Sequence, residues 1–239
     1  MSGKKAKAGR RAATVPQVRS KGQPAKGSSQ SWADPKRLFW PAVVVVAIGL
    51  LAFVALRNNN TSSGAKASQG GGSYPYAVGS PARGASAPAV NLPATSGGTF
   101  NLAAYKGKTQ VLLYFQEGLT CQPCWDQIAA IQKDRAKFNA VGIGPIVSIT
   151  TDPLNLIKQK ASDDGLTIPV LSDQGGQVSD SYNARNFGMM GHDRDGHTFV
   201  LIGKDGRIRW RADYGGAPKY TMFVPDNVLL DQLKKGVQG

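Results

Sequence analysis

The sequence predicts an α/β domain with a central mixed sheet flanked by helices, preceded by a single N-terminal transmembrane helix. Three observations predict it. Residues 38–56, LFWPAVVVVAIGLLAFVAL, run for 19 positions without a charge. From residue 86 onward, β-like runs alternate with segments of helical spacing, the pattern of a sheet covered by helices. The last two β-like runs are joined by Lys204-Asp205-Gly206, a hairpin turn that gives the sheet an antiparallel edge.

The apolar run reaches roughly 28 Å as a helix, about the thickness of a bilayer's hydrocarbon core. Trp40 suits the interfacial belt and Arg57 closes the far end. Residues 1–37 hold ten Lys and Arg against Asp34 alone, so this tail carries +9 of the chain's +14. Basic residues before the span outnumber those after it, which orients the N-terminus to the cytoplasm. The expected organisation is a disordered basic tail over 1–37, a signal anchor over 38–56, and a flexible Gly/Ser/Asn-rich linker over 57–85. Residues 86–239 then form one folded domain outside the cytoplasmic membrane. The tail has no aromatic residue before Trp32, and basic and aromatic residues are not interleaved on a folded surface. No nucleic-acid partner is expected.

Within the domain, TQVLLYFQ (109–116) is apolar enough to be a strand buried on both faces. Ile128, Ile131, Ala136 and Phe138 then fall at roughly helical spacing up to Asn139. IGPIVSIT (143–150) is the next strand, and Asp152-Pro153 starts a helix through Ser162 with a cap-and-proline signal. TIPVLSD (167–173) is a short strand, followed by a helix around 176–186. The hairpin spans 197–214, and a helix after Pro225 closes the domain over 225–236.

These phrases resemble a known family. APAVNLPATSGGTFNLAAYKGKTQVLLYF (87–115) is similar to the opening of the redoxin branch of the thioredoxin superfamily. SITTDPLNLIKQKASDDGLTIPVLSDQGGQVSDSYN (148–183) and TFVLIGKDGRI (198–208) resemble its middle and end. That resemblance implies a thioredoxin-like fold. The branch includes the alkyl hydroperoxide reductase and thiol-specific antioxidant peroxiredoxins, membrane-tethered thiol–disulfide oxidoreductases and Sco-type copper chaperones.

Both cysteines of the chain lie in GLTCQPCWDQ (118–127), between a strand and a helix. A helix N-terminus stabilises a thiolate at the first sulfur. Cys121 is therefore expected to be the exposed nucleophile, with Cys124 one turn in as the resolving residue and Pro123 tolerated in the first turn. Trp125 is expected to add apolar surface for docking a partner. A purely structural disulfide would close so short a loop that it would constrain the unfolded chain little.

Peroxiredoxins carry Pro-x-x-x-Thr-x-x-Cys. Counting back from Cys121 gives Tyr114 and Gly118, and from Cys124 gives Glu117 and Cys121, so neither register fits. A thiol peroxidase therefore stands as an alternative only. The second alternative is a Sco-like copper-binding assembly factor using Cys121, Cys124 and His197, since thiolates suit Cu(I). Sco-type proteins use a Cys-x3-Cys spacing, however, and this chain does not. Thioredoxin-like oxidoreductases usually carry a cis-proline just before this strand, where this chain has Gly196-His197-Thr198.

Other residues read blandly. His197 is expected to be partly buried at a strand start, hydrogen-bonded to backbone, and His192 to lie in an exposed loop. Met189 and Met190 are expected to be packed apolar side chains, Glu117 to be solvated, and Asp152, Asp163, Asp164 and Asp173 to occupy caps and turns. The expected function is a membrane-anchored, extracytoplasmic thiol–disulfide oxidoreductase acting on protein thiols and disulfides. Its catalytic residues would be Cys121 and Cys124, it would need no cofactor, and a protein electron donor or acceptor would recharge it.

Overall fold

The structure, a computed structural model, describes residues 74–238. The tail, the span at 38–56 and the linker up to residue 73 lie outside the described residues. Among the described residues no helix is long and apolar enough to cross a membrane.

A small antiparallel ribbon opens the domain, β1 (Asn91–Pro93) against β2 (Thr99–Asn101). The main sheet has five strands in the order β5-β4-β3-β6-β7. These are β3 (Gln110–Phe115), β4 (Ile143–Thr150), β5 (Val170–Ser172), β6 (Thr198–Ile202) and β7 (Ile208–Asp213). The first three run parallel, β6 runs antiparallel to β3, and β7 runs antiparallel to β6. Parallel pairs need crossovers, and the helical spacings supply them. They are α1 (Gln122–Lys133) and α2 (Arg135–Ala140) after β3, and α3 (Leu154–Asp163) after β4. The short α4 (Gln177–Ser181) follows β5, and α5 (Asp226–Gln238) closes the domain.

Period-two alternation sends β3 into two cores. Leu112 and Tyr114 join Trp125, Ile128 and Ile131 of α1, Ile157 of α3 and Leu229 and Leu233 of α5. Val111, Leu113 and Phe115 face Leu92, Phe100 and Leu102 of the ribbon side and Tyr182. This double burial is why the strand reads as a continuous apolar run rather than an alternating one.

Three expectations need correction. The predicted helix over 176–186 stops at Ser181, because Asn183 takes a left-handed conformation at φ 51° and only a 3-10 turn, Ala184–Asn186, follows. Pro153, not Asp152, holds the N-cap position of α3, and no side chain caps that helix.

The linker boundary at residue 85 also falls too late. Ala77 pairs with Asp213 and Ser86 with Arg207, so residues 77–86 lie antiparallel along the β7 edge. Tyr76 packs edge-on against Trp210 and Tyr214. Beneath this segment lies a fully buried ion pair, Arg211–Asp213 at 2.8 Å. Asp213 also accepts from Gly79 N and Thr198 Oγ1, and Arg211 donates to Tyr182 O at 2.7 Å. Every strong partner of the pair is hydrogen-bonded, which is the condition for burying charge.

Candidate active site

The C-terminal ends of β3, β4, β5 and β7 and the start of β6 share one edge of the sheet. The chain leaves β3 there through Gln116–Thr120 and turns into α1 at Cys121. Gly118 makes the turn at φ +87°, and a Cβ there would lie 1.7 Å from Asp152 Oδ2. That carboxylate accepts from Leu119 N at 2.7 Å and from Thr150 Oγ1 at 3.0 Å, and its other oxygen accepts from Arg194 at 2.6 Å. Arg194 also donates to Glu117 O at 3.2 Å. Asp152, expected at a helix cap, instead holds the loop that presents the cysteines.

Cys121 is the N-cap of α1, and its Sγ accepts from Cys124 N at 3.3 Å. The two cysteines form a disulfide, with Cα atoms 5.3 Å apart. The structure brings both predicted catalytic residues to the N-terminus of a twelve-residue helix. After reduction, that terminus and the Cys124 N–H would stabilise a Cys121 thiolate. Cys121 is not the exposed nucleophile that its position suggested. It is 5 % exposed and Cys124 is fully buried, both in contact with Met222, which arrives from the segment after β7. Trp125 offers no docking surface either: it is buried, and its Nε1 donates to Gly118 O at 3.0 Å, bracing the same loop.

Below the disulfide, His197 is fully buried and its Nδ1 lies 2.9 Å from Tyr114 Oη. Tyr114 Oη also contacts Cys124 O at a long 3.4 Å. One hydroxyl proton serves both contacts only if Nδ1–H donates to Oη and Oη–H donates to Cys124 O. Nε2, which has no hydrogen-bond partner, is then the unprotonated nitrogen. Tyr114, Phe199 and Tyr214 surround the ring, and burial pushes its pKa down to about 3. Burial, then the Glu117 carboxylate, pushes the Tyr114 hydroxyl well above its usual range. Both groups are neutral at physiological pH. The strand-start histidine is thus more buried than expected and its partner is a side chain, not backbone. Gly196 precedes it because a Cβ there would sit 1.7 Å from Phe187 O.

Glu117 is 2 % exposed rather than solvated, and accepts from Met189 N. Met189 and Met190, expected to be packed, are 55 % and 51 % exposed. His192 is exposed, as its loop position suggested. Among the described residues no group of three or more His, Cys, Asp or Glu could hold a metal ion. Cys121, Cys124 and His197 are therefore not gathered into such a group. Sequence reasoning named Asp152 and Glu117 but gave them other roles, and it missed Met222 at this site. Only Glu117 carried a sequence signal, a charge set directly after a buried strand.

A mixed sheet with Cys-x-x-Cys opening the helix after its central strand defines a thioredoxin-like domain of the redoxin branch. The chain belongs to the AhpC/TSA family, which it matches over residues 83–211. It is 30 % identical over 98 residues to the Mycobacterium tuberculosis (strain ATCC 25618 / H37Rv) protein named "Putative peroxiredoxin Rv2521", covering 41 % of this chain and 61 % of that one. The chain thus spans about three-fifths of the length of the curated relatives it matches. Among solved structures it resembles peroxidoxin BcpB from Mycobacterium tuberculosis, with TM-score 0.54, 19 % identity and 64 % and 97 % of the two chains covered. It also resembles Mycobacterium tuberculosis AhpC, with TM-score 0.54, 17 % identity and 66 % and 98 % covered. At such identities the likeness shows the fold alone.

Proposed function

We propose that this chain is a thiol–disulfide oxidoreductase whose Cys121–Cys124 pair exchanges with protein thiols and disulfides outside the cytoplasmic membrane, to which residues 38–56 anchor it. The observation that carries the reading is the bonded Cys-x-x-Cys at the start of α1. A partner thiolate attacks Cys121 Sγ, the Cys121–Cys124 bond breaks, and Cys124 leaves as a thiolate that takes a proton from water. A second partner thiolate then attacks the partner sulfur of the mixed disulfide, releasing Cys121. The partner loses two electrons and the pair gains them. The reverse sequence reduces a partner disulfide.

Trapping tests this. A Cys124→Ser variant should accumulate mixed disulfides through Cys121 when mixed with a disulfide-bonded protein such as insulin, and Cys121→Ser should accumulate none. Equal trapping by both variants would sink the reading. Protease added outside intact cells should digest the domain and spare the basic tail if the anchor reading holds.

Family membership supports a second reading, a thiol peroxidase. A Cys121 thiolate would attack a peroxide oxygen, releasing an alcohol or water. The resulting sulfenic acid would condense with Cys124, losing water and forming the same disulfide. Against it, Tyr114 and Gly118 occupy the positions of the family's proline and threonine, and Tyr114 points into the core toward His197. Peroxide consumption coupled to a dithiol reductant, at a rate comparable with insulin reduction, would favour this second reading.

A further inference from the structure

The disulfide is covered, and one side chain from outside the motif packs with it. Met222, 7 % exposed, completes a cluster with Cys121 and Cys124. It belongs to the segment 214–225, which is tied at both ends. Thr221 N donates to Tyr214 O at 3.0 Å, and Val224 N donates to Gln127 Oε1 on α1 at 2.7 Å. On either side of Met222, Tyr220 and Phe223 are 44 % and 37 % exposed, and Tyr220 sits at φ 47°. The other large exposed apolar side chains among the described residues are Leu156, Met189 and Met190. All five lie on segments that leave or enter the sheet edge bearing the cysteines. Exposed apolar side chains on segments that meet at one sheet edge suit a contact surface.

We infer that Met222 shields Cys121 Sγ, and that polypeptide thiols overcome the shield because their apolar side chains seat on Tyr220 and Phe223. This deepens the oxidoreductase reading and rests on it. Cys121 is 5 % exposed and clustered with Met222, so an attacking thiolate is inferred to displace that side chain. Methionine is unbranched and flexible, so it can swing aside without rearranging the core. A polypeptide gains apolar contact with Tyr220 and Phe223 that offsets the displacement, whereas glutathione has no apolar side chain to offer. The occupant is thus an extended cysteine-containing segment with flanking apolar residues. Exchange itself proceeds as above, with the polypeptide thiolate as the first nucleophile.

The test compares two thiols on the oxidised 239-residue chain: glutathione, and a peptide with one cysteine flanked by Leu and Phe, matched in thiolate concentration. Loss of the disulfide is followed by acid quench and alkylation. The wild type should react with the peptide about tenfold faster than with glutathione, because access as well as thiolate fraction sets the rate. Met222→Ala should raise the rates with both thiols, about tenfold for glutathione, while the volume-conserving Met222→Leu should behave as wild type. Tyr220→Ser combined with Phe223→Ser should slow the peptide and leave glutathione alone. A glutathione rate unchanged in Met222→Ala, in a protein that melts cooperatively, would overturn the shield. So would a wild type that fails to discriminate. A disulfide that neither thiol reduces in any variant would instead overturn the oxidoreductase reading itself.

Discussion

Asp152 shows what one buried carboxylate does at this site. It receives Leu119 N, Thr150 Oγ1 and Arg194, three donors from three segments, while only 4 % exposed. Asp152→Ala leaves the buried donors unpaired and should cost about 2–3 kcal/mol, read from denaturant unfolding. Asp152→Asn keeps the shape but loses an acceptor, so it should cost less and still slow exchange at Cys121. If Asp152→Ala were as stable as wild type, the loop would not depend on this bracket. Tyr114→Phe removes the hydroxyl that links His197 to Cys124 O and should cost about 1 kcal/mol with little change in exchange rate, since neither ring titrates near neutrality.

At the scale of elements, Gly118 is the point of least tolerance. Its φ of +87° and the 1.7 Å approach of Asp152 to a Cβ act together. Gly118→Ala should destabilise by roughly 1–3 kcal/mol from strain alone and loosen the loop, raising alkylation of the reduced cysteines. An unshifted melting curve would contradict this.

The elements themselves were largely legible. IGPIVSIT is β4 to the residue, and the Lys204-Asp205-Gly206 turn does join two antiparallel strands. Their signals are local, namely apolar runs and turn residues. The contacts that finish the site are not local. Asp152 meets Leu119 across 33 positions, and Met222 meets the cysteines across about a hundred, so periodicity carries no trace of either. Residues 74–85 were misplaced for a related reason. They dock through backbone hydrogen bonds and two tyrosines, and backbone pairing leaves composition unchanged. The Tyr-Pro-Tyr at 74–76, aromatic in a Gly/Ser-rich stretch, was the one available hint.

For the molecule as a whole, two buried titrating groups work in opposite directions. Burial, reinforced by Asp173 and Asp180 and opposed by Ser179 and Arg185, raises the Asp195 carboxyl to about 8. The folded state therefore holds a proton that an unfolded aspartate releases near pH 4, so stability falls as pH rises from about 4 to about 8. His197 is held neutral down to about pH 3, so its contribution is intact above about pH 6.5 and is lost as pH falls below that. Stability should climb from pH 8 to about 6.5 and level between about 6.5 and 6, where these two proton equilibria offset one another, and below that Asp226, raised by burial to about 6, adds to it. Melting of Asp195→Asn between pH 6.5 and 8 checks this: its curve should be flatter than the wild type's, and parallel curves would refute the assignment.

The measurement that bears most directly on the central claim is the redox equilibrium of the two cysteines in metal-free glutathione or dithiothreitol buffers, followed by alkylation and mass spectrometry. A single two-electron transition, with Cys121 and Cys124 gaining alkyl groups together, is the predicted result. Two separate transitions, or a disulfide that stays closed at potentials where thioredoxin-type pairs open, would contradict the account.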